Sequence, residues 1–94
     1  MKAEPKKHQP VIILMNKMQI KVRVGEIIHP MIDSHYITWI ELEKNGVLIG
    51  RKELRPGETP IVIFNCSWRP NDLIVGRGNC NLHGSWESSL RVPY

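Results

Sequence analysis

From Met18 to Gly25 apolar and polar residues alternate without a break: Met18, Ile20, Val22 and Val24 interleave with Gln19, Lys21, Arg23 and Gly25. A period of two over this length predicts a strand with one buried and one solvated face. Tyr36–Lys44 is rich in β-branched and aromatic residues and closes on Asn45-Gly46. That dipeptide predicts a tight hairpin turn, because both central positions need positive φ, and it makes Gly46–Leu54 the returning strand. Arg55-Pro56-Gly57 marks another turn, Pro60–Cys66 a compact apolar strand, and Arg69-Pro70-Asn71-Asp72 a turn into Leu73–Gly76. Gly78-Asn79 then leads to Cys80, and Ser89–Val92 predicts a last short strand. Met1–Pro10, polar and basic with Pro5 and Pro10, reads as an arm or loop entering the domain. No segment carries a convincing helical period. About seven short strands with regular turns predict an all-β fold, an immunoglobulin-like antiparallel β-sandwich, as one domain over residues 1–94. Such a scaffold holds its loops rigidly at two ends, so function belongs on the loops.

Composition narrows this frame. The 94 residues are 41% hydrophobic and 23% charged, which excludes a disordered chain and suits one modest core. Two cysteines, Cys66 and Cys80, are too few for a disulfide-stapled secreted scaffold. The longest apolar run, Val11–Met15, is far too short to span a bilayer. Asn16 and Lys17 end it without the small-residue pattern of a signal-peptide cleavage site. The expected location is therefore cytoplasmic, with no membrane partner. Thirteen Lys and Arg against nine Asp and Glu give a net charge of +4, compatible with an anionic substrate, an acidic protein or nucleic acid. With no RNA-binding fingerprint and no basic run longer than two residues, nucleic acid is not an expected partner.

Four histidines in so short a chain call for an explanation. In Cys80-Asn81-Leu82-His83-Gly84 a thiolate and an imidazole stand three residues apart in a glycine-containing loop, where both can point at one metal ion. Taken alone, the pair reads equally as a buried cysteine beside a surface histidine. His29 and His35 flank a Pro-containing loop and taken alone are two solvated residues; His8 beside Lys7 in the basic arm is blander still. Together, one thiolate and four imidazoles exceed the four ligands at which structural zinc closes. They suit a six-coordinate redox metal such as iron with one position open. Spacing does not by itself establish that the five converge.

Four ordered blocks carry a resemblance: Lys7-His8-Gln9-Pro10, His29-Pro30-Met31, His35-Tyr36-Ile37-Thr38-Trp39-Ile40 and Cys80-Asn81-Leu82-His83-Gly84-Ser85-Trp86. They resemble the signature blocks of the superoxide reductases, also called neelaredoxins and desulfoferrodoxins. The likeness is to the single-iron form, since two cysteines cannot build the additional four-cysteine iron module of desulfoferrodoxin. It implies that His8, His29, His35 and His83 are equatorial ligands of one mononuclear iron and Cys80 the axial thiolate. Backbone amides near Leu82 and His83 would then tune the sulfur. It further implies superoxide as substrate, hydrogen peroxide as product, a rubredoxin-like electron donor and a homo-oligomer. Lys7 matches the family's lysine, which attracts the anion and orders a water for proton delivery. One departure stands out: the family commonly has glutamate immediately before that lysine, able to occupy the sixth iron position in the ferric state, whereas this chain has Lys6 there and Glu4 two residues earlier. The expectation is a ferric iron whose sixth position is open or solvent-ligated.

Trp39 and Trp86 are expected to pack around the site or, more readily, in the core. Cys66 reads as an inert core thiol, with a Cys66–Cys80 disulfide as the competing possibility. Two other functions compete: a metal-binding β-sandwich serving electron transfer or iron binding without superoxide turnover, and a plain interaction domain that binds no metal.

Overall fold

In the computed structural model, which describes residues 4–93, the chain runs α1 (Pro5–His8), β1 (Pro10–Asn16), β2 (Gln19–Val24), β3 (Ile37–Lys44), β4 (Val47–Glu53), β5 (Ile61–Asn65), β6 (Leu73–Cys80) and β7 (Gly84–Arg91). The strands form two antiparallel sheets, β1-β2-β5 and β4-β3-β6-β7, as expected of an immunoglobulin-like sandwich. The alternation read from Met18 is realised in β2, where Ile20, Val22 and Val24 are fully buried. They meet Ile40 and Leu42 of β3, Val62 and Phe64 of β5 and Ile74 of β6 in one apolar cluster. Asn45 and Gly46 take φ of 50° and 83°, so the β3–β4 hairpin turns where the dipeptide predicted.

Three features differ from expectation. The arm contains one helical turn, with Pro5 in its first turn, where a missing N–H costs no hydrogen bond, and His8 at its end. Strand β6 continues past Gly76 to Cys80, and β7 begins at Gly84 rather than Ser89. The β6 glycines are places where the sheets approach. A Cβ at Gly78 would lie 2.5 Å from Val24 Cγ2, and one at Gly76 would lie 3.1 Å from Val22 Cγ1. Lastly, Trp39 is not a core residue: it is half-buried on the sheet surface, with the Arg51 guanidinium 4.2 Å above its ring.

Cys66 is buried and donates to the Ser67 carbonyl at 3.4 Å. Both cysteines are free, so the competing disulfide does not form. Among the described residues no helix is long and apolar enough to cross a membrane.

Candidate metal centre

One end of the sandwich gathers the α1 arm, the loop between β2 and β3 and the Cys80–His83 turn, each fixed by backbone bonds. The α1 turn is closed by Gln9 N–H to the Pro5 carbonyl at 2.7 Å. The Gln9 side chain donates to the Glu87 carbonyl and, at 2.9 Å, to Ser88 Oγ, which in turn donates to the Pro10 carbonyl at 2.6 Å. Ile27 N–H donates to the Lys6 carbonyl at 2.9 Å, tying the arm to the turn after β2. His29 N–H reaches back to the Val24 carbonyl at 3.3 Å. His35 and Ile32 exchange both backbone bonds, each at 3.0 Å, which closes the loop between the two histidines. Asn81 joins that loop to the Cys80–His83 turn. Its side chain accepts from Tyr36 N–H at 3.0 Å and donates to the Ser34 carbonyl at 3.1 Å, while its backbone N–H donates to the Tyr36 carbonyl at 3.1 Å.

The result brings all five expected donors together. Donor atoms of His8, His29, His35 and Cys80 lie within 4.8 Å of one another. His83, the exposed member, adds Nδ1 at 3.0 Å from His8 Nε2 and 3.8 Å from Cys80 Sγ. Carbonyl acceptors settle two tautomers. His8 Nδ1–H must donate to the Glu4 carbonyl at 2.7 Å, and His29 Nδ1–H to the Pro30 carbonyl at 2.7 Å, because a carbonyl has no proton to give. Both Nε2 atoms are therefore bare lone pairs in the neutral rings, and they face each other at 3.2 Å. Their mutual repulsion would be relieved by a proton or a metal cation.

The buried setting disfavours the proton. Burial pushes the His29 imidazolium pKa down to about 4, against the rise its Pro30 bond alone would give, and the neighbouring histidines add to the depression. Burial likewise holds His35 below its ordinary value, followed by the charges of His83, His8 and Lys7. His35 Nε2 is buried without a hydrogen-bond partner among the described residues. Converging imidazoles, an orphaned buried nitrogen and a thiol make a metal site, since such donors bind transition-metal cations.

Lys7, named for its charge, projects from α1 beside His8, and its side chain is 44% exposed. Its Nζ lies 3.7 Å from the Glu4 carboxylate. At Cys80 Sγ the polar neighbour is His83 Nδ1, not the Leu82 or His83 amide expected from the motif. Trp86, expected more readily in the core, instead lies over the site, its ring stacked on His8 at 5.0 Å and 28°. The Glu4 and Pro30 carbonyls were not singled out in the sequence, because backbone acceptors leave no residue-type signal.

Comparison with known proteins places this geometry. Residues 1–89 match the family model described as Desulfoferrodoxin. The chain is 40% identical over 82 residues to a desulfoferrodoxin homologue of Archaeoglobus fulgidus, covering 87% of this chain and 62% of the relative. It is 32% identical over 100 residues to a superoxide reductase of Pyrococcus horikoshii, covering 92% of this chain and 87% of that protein. The crystal structure of the superoxide reductase from Treponema pallidum superposes with a TM-score of 0.76 at 34% identity, over 92% of this chain and 69% of that one. The chain spans less than two thirds of the length of the desulfoferrodoxins it matches, 61–64%.

Proposed function

This chain belongs to the desulfoferrodoxin family, and from that premise we propose that it is a superoxide reductase, an oxidoreductase that takes superoxide to hydrogen peroxide at one mononuclear non-haem iron. The observation that carries the reading is the convergence of His8, His29, His35 and Cys80 donor atoms within 4.8 Å, with His83 Nδ1 beside them. Five nitrogen and sulfur donors leave one position of a six-coordinate ion for substrate. His8 and His29 would hold iron through Nε2, His35 through its orphaned Nε2, His83 through Nδ1, and Cys80 through its thiolate. Iron held there would supply the single electron that superoxide accepts, and the Cys80 thiolate would donate electron density to it, as in thiolate-ligated haem.

The chain's own residues supply the rest. The Glu4 and Pro30 carbonyls hold the His8 and His29 rings in one tautomer and orientation, with Nε2 free for a metal. Cys80, 1% exposed, is shielded from solvent oxidants. Converting superoxide to hydrogen peroxide takes one electron and two protons. The Lys7 ammonium draws the anion toward the site and holds a proton donor beside it, and the exposed Lys6 adds to the attraction. Lys6 stands where the resemblance places the family's glutamate and Glu4 lies two residues earlier across Pro5, which supports a sixth iron position free of carboxylate. The electron donor in this reading is a small rubredoxin-like protein. Residues 1–94 act as a single one-iron domain in a cytoplasmic homo-oligomer.

The test is anaerobic loading with ferrous iron followed by a superoxide pulse. One iron per chain, rapid oxidation by superoxide and peroxide formed without oxygen evolution are expected. A thiolate-to-ferric charge-transfer band should be present in the parent and missing from Cys80→Ser. Iron that binds but does not react with superoxide would leave a metal-binding protein without turnover. A band that survives in Cys80→Ser would remove the assigned ligand set.

A further inference from the structure

Trp86 touches two of the proposed ligands by different means. It sits on β7 opposite Gly78 of β6, and its indole face stacks on the His8 ring at 5.0 Å and 28°. Its Nε1–H donates to the His83 carbonyl at 3.2 Å, fixing the turn that carries His83. The His8 ring is thereby held by four contacts: by the Glu4 carbonyl at Nδ1, by T-shaped contacts with His29 and His83 at 4.7 and 4.8 Å, and by the indole on one face.

We infer that Trp86 is a positioning residue of the metal centre, one that orients His8 and His83 together and favours the higher oxidation state of the bound metal. An indole is an electron-rich face, and an imidazole coordinated to a cation is electron-poor. The stack therefore strengthens when His8 binds a metal, and strengthens further as the metal charge rises. The His83 hydrogen bond acts in the same direction by holding the second imidazole in place, as outer contacts to ligands do in metal sites. Because Trp86 acts on the metal through the His8 ring and the backbone that carries His83, its removal should alter affinity and potential together.

The inference rests on the metal site of the superoxide reductase reading. It is tested with ferrous iron as the probe, by chelator competition and by the midpoint potential of the loaded protein, in the parent, Trp86→Phe and Trp86→Leu. Phenylalanine keeps a ring over His8 and loses the N–H; leucine loses both. Affinity is expected to fall on the order of tenfold in Trp86→Phe and toward about 100-fold in Trp86→Leu. The potential should rise in the same order, because the oxidised state loses its extra stabilisation. Iron-dependent quenching of tryptophan fluorescence should shrink in both variants, since Trp86 is the indole in contact with the site. Affinity within about twofold of the parent and an unmoved potential in Trp86→Leu would overturn the inference, and should that variant not fold, the same result in Trp86→Phe does so. A parent that binds no iron strikes at the functional reading; a parent that binds it with the variants unchanged strikes at Trp86 alone.

Discussion

Gly25 lies against the backbone of Lys7 so closely that a Cβ on it would stand 2.5 Å from the Lys7 carbonyl carbon and oxygen. Its φ of 111° is also one that side-chain-bearing residues rarely adopt. Two constraints at one position make this glycine the seat of the arm that carries Lys7 and His8. Gly25→Ala is expected to destabilise the fold by about 1–3 kcal/mol through backbone strain. More tellingly, it should displace His8 and weaken iron binding at least tenfold. Thermal unfolding and chelator competition on the same variant check both effects.

Metal removal should be felt by the whole domain. His8 and His29 present bare Nε2 lone pairs to each other at 3.2 Å, and His35 Nε2 is buried without a partner among the described residues, so the metal-free cluster carries repulsion that a cation relieves. At about 1,000 times its dissociation constant a ligand specific for the native state adds ~4 kcal/mol. For a chain of this size that corresponds to a Tm shift of more than about 10 °C. Calorimetry before and after chelation checks it, and a shift under a few degrees would mean that the cluster does not hold the metal tightly.

An acid-sensitive element lies at the far side of the same sandwich. The Asp72 carboxylate accepts from Asn45 Nδ2 and from Arg69 N–H, each at 2.9 Å, and these bonds hold its pKa below the ordinary carboxylate value. A group whose pKa is lower folded than unfolded contributes stability above its unfolded value and loses it as pH falls through the folded one. The parent should therefore lose this increment below about pH 4, where an unfolded carboxyl begins to protonate. Asp72→Asn should be less stable than the parent at pH 7, and the gap should close as pH falls toward 2. Denaturant melts of the two chains across that range decide it.

How far the sequence carries can be judged from particular residues. Alternation made β2 legible because its buried face repeats every second residue, and Asn45-Gly46 marked the β3–β4 hairpin because few other pairs accept those dihedral angles. The length of β6 was not legible. The strand was expected to stop at Gly76, with Gly78-Asn79 beyond it, while in the fold Gly76 and Gly78 let Val22 and Val24 of the facing sheet come close, a tertiary reason that no local pattern records. At the site the five donor side chains were legible as residue types in ordered blocks. What orients them was not, because the Glu4 and Pro30 carbonyls are common to every residue and α1 is a single turn. Trp86 was named in the sequence, yet an indole signals burial in general and not a stack on one particular imidazole.

Lys7 and Glu4 form an ion pair at 3.7 Å with both side chains about half exposed, so the pair is weakly held and contributes little to stability. Its consequence is for the field at the site. A carboxylate beside the ammonium cancels part of the positive charge that an approaching superoxide anion meets. Lys7→Ala should slow oxidation of the ferrous protein by superoxide by about tenfold at low ionic strength, within the range electrostatic steering covers. Glu4→Gln should speed it, because it removes the opposing charge and leaves Lys7 in place. Added salt should shrink both differences, since exposed charges are screened within about 10 Å at 0.1 M. With Lys6 where the resemblance places a glutamate, and Glu4 two residues earlier across Pro5, the ferric spectra of the parent and Glu4→Gln should coincide. Pulse radiolysis across a salt series measures the rates, and the spectra can be taken on the same samples. A Glu4→Gln spectrum that departs from the parent would place the Glu4 carboxylate on iron. Rates unaltered in Lys7→Ala would remove Lys7 from the path of the substrate.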